Sequence, residues 1–246
     1  MEVHPPEHAI HTWRDFFVHM GTICLGLLIA IGLEQSVESL HRHNERRALQ
    51  RELFEEAEGN DHRLAGTLEY GEAMYRWFAA AIKAIGAASP QNGQIVLTLP
   101  QIEKPTTAQD PIAPSQAVWD GAKASGMLSL LSGAESQIYA RINYEAEMSQ
   151  RFDFKTGEAS DHLDLILTRY NIRFEPGQEI SFPAAHRDEV LDALHEFQIA
   201  LNRTIEWTAT YKGASQAVLH HVSSVDAMYP FVTKEGERAN HAIETK

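Results

Sequence analysis

The sequence predicts an all-α protein in which one N-terminal transmembrane helix precedes a helical bundle with a small irregular or β insertion. Residues 16–33 form a nearly uninterrupted apolar stretch, which as a helix rises about 27 Å and matches the hydrocarbon layer of a bilayer. Much of the remaining chain places apolar residues at alternating spacings of three and four, which is typical of amphipathic helices. Five of the ten prolines fall between Pro90 and Pro114, so that segment interrupts the helical pattern.

Composition divides the chain into consecutive segments. We predict a short polar tail (1–15), the transmembrane helix (16–34), a charged helical stalk (35–60), a bundle domain (61–229) with a Pro-rich insertion (88–114), and a loose polar tail (230–246). The part outside the span is long enough for one domain with its own apolar core.

A signal peptide is the main alternative to a membrane anchor. The residues before the apolar stretch contain one basic side chain, Arg14, and no small-residue cleavage pattern precedes Glu34–Glu38, whereas a signal peptide needs both. A buried core helix would require apolar surroundings on all sides, which the rest of the chain does not supply. We therefore predict a retained anchor, with Trp13 in the aromatic belt at the membrane interface.

Small side chains recur every four residues within the span. Thr22, Gly26 and Ala30 fall on one face of the helix, and such a stripe allows two helix backbones to approach closely. It predicts association through the membrane helix, with a protein partner or with a second copy. The alternative interpretation is that small residues are simply common in membrane helices.

Basic residues near the span indicate its orientation. Arg42, Arg46 and Arg47 follow the span, whereas Arg14 alone precedes it. We predict that these arginines lie at the membrane interface and that the soluble domain is cytoplasmic by the positive-inside rule. A periplasmic domain is the alternative, because long domains cross the membrane largely regardless of flanking charge.

The first half of the bundle domain has clear boundary signals. We expect Gly59-Asn60-Asp61 to break or kink the helix that continues from the span. An apolar row from Leu64 to Ile85 predicts a second helix that ends before Pro90. Two similar segments, Gly93–Pro100 and Gly177–Pro183, either pair as a small ribbon or mark an internal duplication.

The second half is predicted to be mostly helical. Ser115 is a candidate N-cap, and Ser125-Gly126 ends the helix that it begins. Further helices are expected around 134–146 and 159–170. An apolar row from Val190 to Val225 predicts a helix of about 55 Å packed inside a bundle.

Two stretches resemble an uncharacterised group of bacterial proteins that have one N-terminal membrane helix and a helical domain. The motifs are His11–Phe17 with Gly26–Glu34, and Trp119–Leu131 with Tyr139. The likeness covers roughly residues 4–60 and 115–145 and leaves the last hundred residues unmatched. It implies this architecture and a bacterial inner membrane. The group has no agreed activity, so the resemblance implies no catalytic residue.

The sequence offers no strong motif for catalysis or for a cofactor. His195-Glu196 begins like a zinc-protease helix, but position 199 is Ile, so the second metal ligand is missing. Gly213–Ala217 lacks the final glycine of a nucleophile elbow. A formal charge of −13 disfavours nucleic acid, which needs a basic surface. The acidic run from Glu52 to Glu58, which includes Glu56, is predicted to be a solvated helix face.

Thirteen histidines are the one unusual count. His4, His8 and His11 are candidate metal ligands before the span, although Pro5 and Pro6 keep His4 and His8 off a shared helix face. Interfacial histidines without metal are the simpler interpretation. Two carboxylate–histidine pairs, Glu38 with His41 and Asp192 with His195, have the spacing found in di-iron bundles, which need further inward-facing glutamates.

The features together predict an interaction module or accessory subunit of a larger membrane complex, which acts without catalysis. Its expected partners are the lipid bilayer and either another protein or further copies of the chain. The alternative is a metal-dependent enzyme or a ligand or metal sensor that uses the juxtamembrane histidines. A sensor that detects a ligand in the bundle would require a pocket.

Overall fold

The structure, a computed structural model, describes residues 13–102 and 114–244, and within them the predicted helical fold class is confirmed. The helices are α1 (Trp13–Ala87), α2 (Ala117–Ser125), α3 (Gly133–Arg169), α4 (Arg187–Leu219) and α5 (Tyr229–Glu244), and the strands are β1 (Gln94–Thr98) and β2 (Glu179–Pro183). Short 3₁₀ helices cover Met127–Leu130, Ala184–His186 and Asp226–Met228. The chain divides into two compact units, Met1–Ala48 and Leu49–Lys246.

The described part of the first unit, residues 13–48, is the N-terminal part of α1. Among the described residues, α1 is the helix that is long and apolar enough to cross a membrane, and no residue of its most apolar stretch is buried. Signal sequences share this length and composition. Apolar side chains in this stretch, such as Leu25, Leu28 and Ile29, are more than half exposed.

The predicted break at Gly59-Asn60-Asp61 is wrong, because α1 continues through it to Ala87. Asn60 is buried, and its side-chain amide bonds to Ser115 and Tyr211. An asparagine that finds tertiary partners no longer competes with the helix for its own backbone hydrogen bonds. The predicted end before Pro90 is confirmed.

The second unit is built on a three-helix core, which consists of α1 from Leu49 onward, α3 and α4. The apolar face predicted for α1 supplies buried residues to it, among them Leu64, Leu68, Phe78 and Ile85. Helices α3 and α4 run antiparallel, since Ser149 contacts Thr208 and His162 contacts Glu196. Helix α3 begins at a capping box formed by Ser132 and Glu135 and continues to Arg169, so the two helices predicted for this segment are one.

The ribbon prediction is confirmed, because β1 and β2 pair as an antiparallel two-stranded sheet from Gln94↔Pro183 to Thr98↔Glu179. Ile95, Ile180 and Phe182 are almost completely buried and join the apolar cluster around Trp77 at this end of the three-helix core.

The connection to α2 differs from the prediction. The residue before α2 is Gln116, which makes no side-chain cap, so the prediction that Ser115 is the N-cap is wrong. Glu56 of α1 takes that role, because its carboxylate accepts hydrogen bonds from the backbone N–H groups of Val118 and Trp119 at 3.0 and 3.4 Å. Gly126, with φ of 77°, ends α2 as predicted, in a left-handed conformation that suits glycine.

The end of the chain also differs. Helix α4 ends at Leu219, several residues before Val225, which the predicted apolar row includes. The prediction of a loose tail from residue 230 is wrong, because α5 occupies Tyr229–Glu244 and packs on α4.

Candidate functional site

The predicted helix–helix interface lies on exposed surface of the first unit. Thr22, Gly26 and Ala30 are all exposed on α1. The Thr22 hydroxyl donates to the carbonyl of Val18 at 2.9 Å, and a Cβ at Gly26 would meet no atom within 4 Å. The stripe is thus open to a second helix, and its use as an interface stays a prediction.

The predicted interfacial residues are exposed or partly exposed, and one of the three arginines, Arg42, is paired with an acidic residue. Trp13 is 78% exposed and contacts Phe16 and Phe17, with ring centroids 5.9 and 6.1 Å apart. The Arg42 guanidinium bonds to Glu38 at 2.7 Å. Because an acid one turn away offsets this cation, Arg42 contributes less net positive charge to the flank than the sequence count implies. Arg46 is half-buried and Arg47 exposed, and the orientation of the span stays a prediction.

The candidate metal ligands His4, His8 and His11 lie outside the described residues. In the ranges 13–102 and 114–244, no three histidine, cysteine or acidic side chains come together as a metal site would require. In the first candidate di-iron pair, Glu38 binds Arg42 and His41 contacts Glu45 at 3.0 Å.

A polar cluster that sequence reasoning missed connects α1, α2 and α4. The Asn60 amide nitrogen donates to the Ser115 carbonyl at 2.7 Å and to the Tyr211 hydroxyl at 2.8 Å, while its oxygen accepts from the Ser115 backbone N–H at 2.8 Å. Burial and the negative charge of Glu56 raise the pKa of Tyr211 far above its usual range, so its hydroxyl stays protonated. The Ser115 hydroxyl donates to Glu56 at 2.9 Å, which makes the acidic residue predicted as solvated a structural one.

A second cluster is ionic and attaches α5 to α1 and α4. Arg238 bonds to Glu72 at 3.0 Å and to Glu235 at 3.1 Å, and Lys212 lies 3.3 Å from Glu235 and 3.5 Å from Asp61. Burial raises the pKa of Glu72 despite the attraction of Arg238. Burial acts in the same direction on Glu235, but the bonds and charges of Arg238 and Lys212 outweigh it and lower the pKa. Paired in this way, the buried carboxylates hold α5 in place.

Glu145 is the most deeply buried acidic residue described, with no exposed surface. Arg141, one turn earlier on α3, is its ionic partner, but neither carboxylate oxygen accepts a well-aligned hydrogen bond. Burial raises the pKa of Glu145 in spite of Arg141. A perturbed carboxyl group can mark an active site, but this one opens into none of the described cavities.

The largest of the described cavities is open to solvent, lies between the helices of the three-helix core and has a volume of about 410 Å³. Its wall is mostly apolar, with four aromatic rings at one end and threonine and serine hydroxyls along the other. Two carboxylates, Asp153 and Asp164, are its charged groups. The lining comprises Thr67, Leu68, Tyr70, Gly71, Met74, Trp77, Phe78, Asp153, Thr156, Ser160, Leu163, Asp164, Leu167, Phe174, Phe197, Leu201, Thr204, Ile205 and Thr208.

Comparison with known proteins yields no family model, no curated protein and no solved structure that matches the chain. The resemblance to single-span bacterial proteins therefore stays a prediction. The buried polar residues had a partial signal in the sequence, since Asn60 and Glu72 continue the four-residue spacing of Leu64 and Leu68. A polar residue on an apolar row indicates a buried polar contact, although the spacing does not reveal the partner.

Proposed function

We propose that the protein is a single-span membrane protein whose helical domain acts by binding another protein, as an interaction module or accessory subunit, without catalysing a reaction. The fully exposed apolar part of α1 supports the membrane anchor, because such a surface requires an apolar environment. The small-residue stripe at Thr22, Gly26 and Ala30 supports a further contact within the bilayer.

Three large, exposed apolar side chains on α3 and α4 are the observation that carries the binding role. Phe154 and Leu165, both on α3, are 69% and 66% exposed, and Ile199 on α4 is 65% exposed. Phe154 and Leu165 are eleven residues apart, which is close to three helical turns and places them on one side of α3. The contact between His162 and Glu196, 2.8 Å long, brings the neighbouring turn of α4 beside them. Large apolar side chains exposed on two neighbouring helices support an interaction surface.

The test is purification of the tagged full-length protein from its native membrane in mild detergent, followed by mass spectrometry of the co-eluting proteins. We expect a companion protein in stoichiometric amount with the wild type, and a clear loss of it with the variant F154S/L165S/I199S. The control E237A/N240A changes exposed polar residues of α5, outside this surface, and should retain the companion. Elution of the wild type alone, or as a homo-oligomer, would contradict the proposal.

The same preparation tests the anchor. A retained span predicts that the intact mass of the membrane-extracted protein includes residues 13–33 and that the protein resists extraction at alkaline pH. A mature chain that begins after Leu33 would identify the apolar stretch as a signal peptide and would remove the membrane part of the proposal.

A further inference from the structure

We propose that the cavity of the three-helix core binds a small-molecule amine, with an apolar body and a positively charged ammonium group that lies beside Asp153. This ligand site goes beyond the proposed protein-binding function and does not depend on it.

The size of the cavity fits one drug-sized molecule. Its volume of about 410 Å³ lies within the range of small-molecule sites, which are typically mostly apolar with a few polar groups that set the orientation of the ligand. Helices α1, α3 and α4 supply all of its wall except Phe174, which lies between α3 and β2. Side chains on packed helices provide a largely preformed site.

One end of the cavity suits the apolar body. Phe174 lies 5.1 Å from Trp77 and 5.7 Å from Phe78 between ring centroids, and Phe78 lies 4.6 Å from Phe197. Such rings contribute a large apolar contact area for a ligand.

The other end suits a hydrogen-bond donor. The hydroxyl oxygens of Thr156 and Thr204 are 2.8 Å apart across α3 and α4, and Thr208 lies one turn beyond Thr204. Asp153 is three residues before Thr156 on α3, and therefore on the same side of the helix. Carboxylate and hydroxyl oxygens grouped in this way accept hydrogen bonds from an ammonium group, which offers donors and no acceptor.

The charge of the lining selects against other head groups. Neither lysine, arginine nor histidine is among the described residues that line the cavity. Beside Asp153, an anionic head group would face a carboxylate without a compensating cation, and a neutral head group would gain no ion pair. The lining is therefore complementary to a cation.

The second carboxylate provides an internal control. Asp164 is eleven residues after Asp153 on α3, which separates the two by about 16 Å along the helix. This distance exceeds the screening length of about 8 Å at physiological ionic strength. An ammonium group at Asp153 should therefore be almost insensitive to the charge of Asp164.

The experiment uses the full-length chain in phosphatidylcholine nanodiscs and three probes that share one apolar body: 6-phenylhexylamine, 6-phenylhexanol and 6-phenylhexanoate. Binding is followed by calorimetry and by tryptophan fluorescence, since Trp77 lines the cavity. Empty nanodiscs correct for partition of each probe into the lipid. We expect the amine to bind about fivefold more tightly than the alcohol, which is the upper range for one partly exposed ion pair, and the carboxylate to bind most weakly.

Three variants test where the ammonium group of the amine binds. D153N should reduce the affinity for the amine to that of the alcohol, while D164N should change it by less than twofold. S160F, which fills the cavity from α3, should weaken binding of all three probes. If S160F does not fold, the exposed and isosteric D153N and D164N variants still decide the result. Equal affinities for the three probes, an unchanged amine affinity in D153N, or a loss in D164N alone would overturn the proposal.

Discussion

The β1–β2 ribbon and helix α5 are both peripheral elements of the same three-helix core, but only the attachment of α5 combines apolar contacts with a buried ionic cluster. The ribbon packs through buried apolar side chains such as Ile95 and Phe182. Helix α5 buries Ala239 in an apolar cluster as well, but it is also held by the ionic cluster around Arg238 and by close backbone packing at Gly213. Apolar burial is non-directional and tolerates salt and pH, whereas an ionic attachment depends on the pairing of each charge. The two attachments should therefore respond differently to substitution.

The largest effect is expected from Phe182→Ala in the ribbon. Phe182 is 1% exposed, and loss of its ring leaves a cavity in the apolar cluster, which should lower the free energy of unfolding by about 4 kcal/mol. Urea unfolding followed by tryptophan fluorescence measures this change. Ser181→Ala is the control, because Ser181 is exposed on the opposite side of the strand. Equal stability of the two variants would show that the ribbon contributes little to the core.

Gly213→Ala should have the next largest effect, on the α5 side. A Cβ at this position would lie 2.6 Å from the Cα of Val232 and 2.7 Å from the carbonyl oxygen of Phe231. Because these are backbone atoms, the start of α5 must shift, and we expect a loss of about 2–3 kcal/mol in the free energy of unfolding.

Gly236→Ala is the matched control on α5. A Cβ there meets no atom within 4 Å, and alanine favours the helix, so this variant should gain about 0.5–1 kcal/mol. If both glycine variants were stabilising in the same unfolding assay, the close approach between α4 and α5 would be absent in solution.

Glu235→Gln tests the ionic part of the α5 attachment. It leaves Lys212 with Asp61 as its remaining acidic partner and Arg238 with Glu72, and it should cost about 2 kcal/mol, since the cluster is only partly exposed. Relative to the wild type, Glu235→Gln should accelerate amide hydrogen exchange more in α5 than in the ribbon. Glu237→Gln changes an exposed acid of the same helix and should leave exchange unchanged. Equal acceleration in both variants would contradict a specific role of Glu235.

The same comparison explains which parts of the fold the sequence could predict. The ribbon was predictable, because Ile95–Leu99 and Ile180–Phe182 have β-type patterns between turn residues, and only their pairing was left open. Helix α5 was not, because its sequence is polar and resembles a solvated tail unless the partners of Arg238 are known. Glu72 is 166 positions away from Arg238 in the chain. Local spacing carries no information about a contact between residues so far apart.

The candidate sites also divide into features that the local sequence predicts and features that depend on contacts between distant residues. The exposure of the stripe at Thr22, Gly26 and Ala30 follows from the apolar span alone. The role of Glu56 at the start of α2 was missed, since a glutamate in an acidic run has the same local pattern whether it is solvated or caps a distant helix. The cavity was missed for a related reason. Its hydroxyl end combines Thr156 with Thr204, and their proximity depends on the antiparallel packing of α3 on α4.

The smallest expected change in stability comes from replacing Glu145, an acidic residue that takes part in attaching neither the ribbon nor α5. Glu145 is fully buried with a raised pKa, so the folded protein retains a proton on this carboxyl at pH values where the unfolded chain has lost it. Its contribution to stability is therefore present below the ordinary carboxyl pKa of 4.5 and is lost as the pH rises through the raised value. Glu145→Gln removes this dependence. Arg141, which is partly exposed, can be hydrated after the substitution.

We expect Glu145→Gln to be about 1 kcal/mol more stable than the wild type near pH 7.5, because a buried charge is replaced by a neutral group of similar shape. The difference should shrink toward pH 4.5, where the wild-type carboxyl carries its proton. Urea unfolding of both proteins across this range measures the difference directly, and the contributions of all other titrating groups cancel in it. If the stability of the variant relative to the wild type were instead lower at pH 7.5 than at pH 4.5, the ion pair with Arg141 would outweigh the cost of burying the charge. In that case the interior of the bundle would tolerate charge as readily as the α5 attachment does.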